Sequence, residues 1–214
     1  MKSVLCYGDS NTWGYATEPR PDGRYGFNER WTGVLRQGLG ADWHVIEEGL
    51  PGRTTVNDDP VEGLERNGRT YLLPCLLTHR PIDVLVIMLG TVDLKARFNK
   101  TAWEIAAGVG ALVAIAKAAA VGPSGSTPQI LVICPPKTQA DLKEFSDLFA
   151  GAPEKSRHLA RHYESMARAN AVHFLDGGAH ATSSLADGFH LDPTGHAALG
   201  SAVAAELKRL MIGL

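Results

Sequence analysis

Apolar and polar positions follow two rhythms along the chain. Short, nearly continuous apolar runs at residues 4–8, 43–47, 84–89, 130–134 and 172–175 read as strands. The run at 84–89 is β-branched and apolar throughout, the pattern of a strand buried on both faces. Segments of helical spacing lie between them. Residues 30–39 carry Trp31, Val34, Leu35 and Leu39, and 70–79 carry Leu72, Leu73, Leu76 and Leu77. Residues 101–119 form an Ala-rich stretch, 156–170 a segment that Ser156 would cap, and 195–211 a closing helix with Leu199, Val203, Leu207 and Leu210 in register. Strands alternating with helices predict an α/β protein with a five-stranded parallel sheet covered on both faces. The chain shows no internal repeat or linker, so residues 1–214 are expected to form one domain.

In open parallel sheets, ligands collect beyond the carboxyl ends of the strands. Ser10 follows the first strand in Gly8-Asp9-Ser10, a fitting place for a nucleophile. A serine hydroxyl needs a base, and the late loop at 176–193 offers Asp187-Gly188-Phe189-His190. An acid three residues ahead of a histidine on a loop can hold Nδ1–H and leave Nε2 to face the hydroxyl. Acyl transfer also needs donors for an oxyanion. The backbone N–H of Ser10 is one candidate, and Gly52, in the loop after the second strand, is another because it lets an N–H approach closely.

Charge and composition narrow the field. A formal net charge of −2, with both signs interspersed, leaves no electrostatic footprint for nucleic acid or an anionic membrane. The most apolar stretch, residues 105–116, is short of the roughly 20 residues that span a bilayer. Three cysteines (Cys6, Cys75, Cys134) lack metal-ligand spacing, Cys6 and Cys134 fall in strands that read as buried, and the start Met1-Lys2-Ser3 runs straight into a strand. A cytoplasmic protein without metal or cofactor is expected. His158 and His162 have helical spacing but no third ligand, and read as a solvated face. Asp58-Asp59, Asp141 and Glu144 fall in polar segments that read as exposed, whereas Asp9 and Asp93 suit bracing of backbone N–H groups. The loop at 13–28 and the insertion at 137–153 bring Trp13, Tyr15, Tyr25, Phe27, Phe145, Leu148 and Phe149. These suit pocket walls, subunit contacts or a small core that pins the loop.

Gly8-Asp9-Ser10, Gly52, Gly90-Thr91-x-Asp93 and Asp187-x-x-His190 together resemble the four blocks of the SGNH (GDSL-type) hydrolases. Arg30-Trp31-Thr32-Gly33, Glu47-Glu48-Gly49-Leu50 and Arg53-Thr54-Thr55 are similar to the mycobacterial arylesterase/acyltransferase branch, which is close to carbohydrate acetyl esterases. The resemblance implies a flavodoxin-like three-layer α/β/α fold. It implies a serine esterase acting on small acetyl, aryl or sugar esters through an acyl-enzyme, with transfer to alcohols where water is shielded. Ser10 would be nucleophile, His190 base and Asp187 its orienter, with Ser10 and Gly52 N–H groups in the oxyanion hole. Asn11, Trp13 and Thr91 would contact substrate, and the branch's habit implies a homo-oligomer. One block departs. The family's third oxyanion donor is an Asn side chain, and Val92 stands there. A weakened esterase, an esterase with a substitute donor (Asn11, Thr12 or Thr91), a degenerate or engineered copy, or a protein that only binds an ester or carbohydrate would each fit that change.

Overall fold

The apolar runs become the strands of one sheet. The computed structural model describes residues 1–211. Strands β1 (Lys2–Gly8), β2 (Trp43–Gly49), β3 (Val84–Met88), β4 (Gln129–Cys134) and β5 (His173–Asp176) are all parallel, in the order β2-β1-β3-β4-β5. Among the described residues seven α-helices connect and cover them: α1 (Ser10–Trp13), α2 (Trp31–Leu39), α3 (Gly68–His79), α4 (Ala102–Ala119), α5 (Ala152–Ser156), α6 (Leu159–Ala169) and α7 (Pro193–Met211).

The period of two along each strand divides the core. Val4, Cys6, Val84, Val86, Leu131 and Ile133 point to one face, where Trp31 and Leu35 of α2 and Leu199, Val203 and Leu207 of α7 cover them. Leu5, Tyr7, Leu85, Ile87, Ile130 and Val132 point to the other, under α3, α4 and α6. Each large aliphatic side chain buried this way contributes about 1.5–3 kcal/mol relative to exposure, which makes the strand ends rigid platforms. The result is the expected three-layer α/β/α sandwich. Helix α4 is 18 residues long with a mean hydropathy of 1.5, apolar and long enough by composition to cross a bilayer. Here its face of Ile105, Val109, Leu112 and Val113 lies in the core beneath the sheet, and Thr101 and Glu104 close a capping box at its start.

Two details differ from the sequence reading, and a third decides between alternatives it left open. Ser156 does not cap the helix that follows. It ends α5, its hydroxyl donates to Pro153 O at 3.0 Å, and α6 begins only after His158, because the insertion finishes in a short helix of its own. Asp59 is not solvated but fully buried, paired with Arg97 at 2.6 Å and Lys95 at 3.7 Å. The 13–28 loop is pinned: Tyr15 and Arg24 form an antiparallel bridge, and Tyr25 is buried.

Because strands run outward in both directions from β1, the carboxyl ends of β1 and β3 mark the point where the chain switches direction. In parallel sheets this is where a crevice opens.

Candidate active site

Ser10 sits at that switch point, as the first residue of α1. The turn requires Gly8, since a Cβ there would stand 2.0 Å from Thr12 Oγ1 and 2.8 Å from Met88 O. Asp9 caps α1, accepting the Asn11 N–H at 3.0 Å. Burial pushes the Asp9 carboxyl up to about 7, helped by the charge of Asp93 and opposed by the Asn11 N–H. An unfolded aspartate titrates near ~3.9, so the folded state holds the proton more tightly and loses stability as pH rises from there toward 7. Asp9→Asn keeps the capping oxygen without the charge. Its Tm should gain on the wild type's as pH rises across that window and run parallel above it. A constant difference across the window would contradict the shift.

The late loop meets Ser10 from the other side of the crevice. His190 Nε2 lies 2.8 Å from Ser10 Oγ, and His190 Nδ1 lies 2.7 Å from Asp187 Oδ2. Asp187 Oδ1 accepts the backbone N–H groups of Phe189 (3.1 Å) and His190 (3.0 Å). Burial raises the Asp187 carboxyl, but its bonds to His190 and these N–H groups outweigh that and hold it below the ordinary aspartate value. Tyr15 stacks on the imidazole, with centroids 4.2 Å apart and planes 18° apart. Thus Ser10, His190 and Asp187 form one hydrogen-bonded chain, assembled from residues 180 apart in sequence.

A cavity of about 170 Å³ opens beside this chain, lined by Ser10, His190, Tyr15, Pro51, Gly52, Val92 and a group of apolar side chains. Phe189 stands at its wall between Phe145 (centroids 5.2 Å) and Phe149 (4.8 Å), so the insertion's aromatics are pocket wall and local core at once. A cavity of this size with these apolar walls suits a small acyl group. The N–H groups of Ser10 and Gly52 donate to no partner among the described residues, leaving both free for an oxyanion. Gly52 adopts φ +78, a left-handed conformation open to glycine at little cost. Val92 presents only methyl groups to the same cavity.

The family model for GDSL-like lipases/acylhydrolases matches residues 6–198. The chain belongs to the GDSL-like lipase/acylhydrolase family. This GDSL-like protein is a carboxylic ester hydrolase. Among solved structures it is similar to Est24, a carbohydrate acetylesterase from Sinorhizobium meliloti, at 39% identity and a TM-score of 0.92 over 99% of this chain and 100% of that one. It is similar also to the inhibitor-bound M. smegmatis aryl esterase, at 40% identity and a TM-score of 0.93 over the same shares. A G-D-S-L lipolytic protein from Veillonella parvula, at 13% identity and a TM-score of 0.68 over 97% and 98%, shares the fold. No curated protein matches the sequence.

The hydrolase departs from its sequence reading at the proposed substrate contacts. Asn11, Trp13 and Thr91 do not line the cavity. Asn11 instead clamps the histidine loop, donating to Phe189 O (3.2 Å) and accepting the Leu191 N–H (2.9 Å). Trp13 lies under the Arg24 guanidinium at 4.8 Å, and Thr91 is buried. The substitute donors fare no better: Asn11 is tied to the histidine loop, and neither Thr12 nor Thr91 lines the cavity. Asp9 and Asp93 do brace backbone. Asp93 accepts the Thr55 N–H (3.0 Å) and hydroxyl (2.6 Å) and Asn57 Nδ2 (2.7 Å), tying the Gly52 loop to the Val92 loop. His158 is half-buried and pairs with Glu154 at 3.1 Å. Away from the cavity, Glu48, Cys75 and His79 bring ligand-capable atoms within 4.8 Å of one another. There His79 Nε2 meets Glu48 Oε1 at 2.9 Å, and burial pushes the Cys75 thiol up to about 12. Two lining residues carry no sequence signal at all: Glu62 and Lys95, which lie in polar segments without periodicity.

Proposed function

We propose that this hydrolase cleaves esters of small acyl groups, acetyl esters foremost, through an acyl-enzyme on Ser10. The single observation that carries this reading is the unbroken chain from Ser10 Oγ through His190 to Asp187 beside a cavity of small-acyl size. Nε2 of His190 takes the hydroxyl proton as Oγ attacks the carbonyl carbon, and returns it to the departing alcohol. Asp187 holds Nδ1–H and stabilises the imidazolium that forms between those steps. Negative charge on the carbonyl oxygen falls to the free N–H groups of Ser10 and Gly52. Water then attacks the acyl-enzyme with His190 again as base. The aromatic and aliphatic walls favour an alcohol over water in that second step, so transfer to alcohols accompanies hydrolysis. The acetylesterase and aryl esterase neighbours support the choice of substrates. A fluorophosphonate probe tests the reading directly: it should add one phosphonyl group at Ser10 as hydrolysis of nitrophenyl acetate stops. An unlabelled protein that still binds esters would make it a binding protein instead.

Val92 leaves the hole with two backbone donors and an aliphatic third side. One side-chain donor at such a position is typically worth about 10²–10³ in turnover where the rest of the hole is built around it. Val92→Asn should therefore raise kcat on nitrophenyl acetate about tenfold or more, with a smaller change in KM. Unchanged or lower kcat would mean that the two-donor hole is complete as it stands.

A further inference from the structure

Apart from the Ser10–His190 pair itself, the charged side chains lining the cavity are those of Glu62 and Lys95. The Lys95 side chain is only 4% exposed, and a buried ammonium is tolerated only when paired. It pairs with Glu62 Oε1 and lies 3.7 Å from Asp59 Oδ2. Arg97 completes the square, 2.7 Å from Glu62 Oε1 and 2.6 Å from Asp59 Oδ2. Two carboxylates and two cations cancel, so the cluster brings no net charge to the site.

The hydrogen bonds within the cluster are unevenly shared. Both cations use Oε1 of Glu62, and Oε2 accepts nothing from the described residues. That oxygen lies directly against Gly52, where an added Cβ would come within 2.9 Å of it. Gly52 carries one of the two free N–H groups of the oxyanion hole. An ionised oxygen with open lone pairs therefore stands at the rim of the reaction centre. Burial draws the Glu62 carboxyl upward, but Lys95 and Arg97 overcome this and keep it below the ordinary glutamate value, so it is charged at neutral pH. The Glu62 side chain is 35% exposed, so solvent water can reach its carboxylate while the cavity is open. An ester of a plain alcohol displaces that water and offers no donor in return, which leaves a desolvated carboxylate beside a developing oxyanion. An alcohol portion bearing further hydroxyls offers an O–H of the right kind, giving a charge-assisted bond.

We propose that Glu62 Oε2 receives a hydroxyl of the alcohol portion of the substrate, and that the site thereby selects esters of polyols and sugars over esters of plain alcohols. This rests on the esterase reading above and adds a specificity-determining residue to it. Lys95 and Arg97 act through Glu62 as positioning residues.

The test compares glycerol monoacetate with ethyl acetate, which share the acyl group and differ in hydroxyls. The wild type should have the higher kcat/KM on glycerol monoacetate. In Glu62→Gln the ratio of the two kcat/KM values should fall about tenfold, the loss of one hydrogen bond to a charged acceptor, mostly through KM for the glycerol ester. Ethyl acetate turnover should rise, because a negative charge leaves the rim of the hole. Glu62→Asp withdraws the carboxylate by one methylene without removing its charge, and should lower the ratio without the rise. A ratio within about threefold of wild type in both folded variants, or a wild type without preference, overturns the assignment. A wild type that neither takes the fluorophosphonate label nor cleaves nitrophenyl acetate brings down the esterase reading itself, an outcome distinct from a labelled, active enzyme with an unchanged ratio.

Discussion

Ser10→Ala should lower ester turnover by about a millionfold, the cost of removing the nucleophile from a serine hydrolase. The hydroxyl makes one side-chain hydrogen bond, to His190 Nε2, so its loss disturbs little else. The turn that presents it depends on Gly8, Asp9 and Gly14, and the oxyanion N–H of residue 10 survives the change. The variant should therefore keep its Tm and its affinity for substrate, yet take no fluorophosphonate label and show no burst of nitrophenol. Removing His190 alone should cost a similar factor. Removing both should cost hardly more than either, because nucleophile and base act as a unit. Retention of more than about a tenth of the activity in Ser10→Ala would place the nucleophile elsewhere.

The contrast between Ser10 and Glu62 shows which parts of the molecule can be read from sequence. Strand β3 is legible because a strand covered on both faces must be apolar at every position. Ser10 and Asp187-x-x-His190 are legible because their chemistry demands fixed residue types at fixed local spacing, on loops that strand ends define. Glu62 and Lys95 obey no such local rule. They meet across 33 residues because the loops after β2 and β3 converge, and either side chain alone reads as solvated polar sequence. Asp59 is misread for the same reason: its burial is made tolerable by Arg97, 38 residues away. Asn11 shows the converse error. Its place beside the nucleophile suggests substrate contact, but both ends of its amide are taken by the histidine loop. Position in the chain identifies candidates for chemistry, whereas hydrogen-bond satisfaction decides which remain free to perform it.

That same accounting predicts the outcome at Asp187. Asp187→Asn should lower kcat by about ten-thousandfold while leaving the fold and KM nearly intact. Asp187 uses one oxygen to accept the N–H groups of Phe189 and His190, and the other to accept from His190 Nδ1. An asparagine can satisfy the two backbone donors only by turning its single oxygen toward them. Its NH₂ group is then forced against Nδ1, which must become an acceptor. The ring proton moves to Nε2, the atom that has to take the proton of Ser10, and the base is lost without any displacement of its ring. The opposite amide orientation would restore the tautomer only by facing an NH₂ against two N–H donors, leaving both unsatisfied in a buried loop. Activity lost this way should recover in part as pH is raised, because hydroxide can take the Ser10 proton in place of the missing base, whereas the wild type holds a plateau. Asp187→Ala distinguishes orientation from charge: it removes the carboxylate but imposes no tautomer, so it should retain more activity than Asp187→Asn. The reverse order would mean that Asp187 contributes mainly through its negative charge.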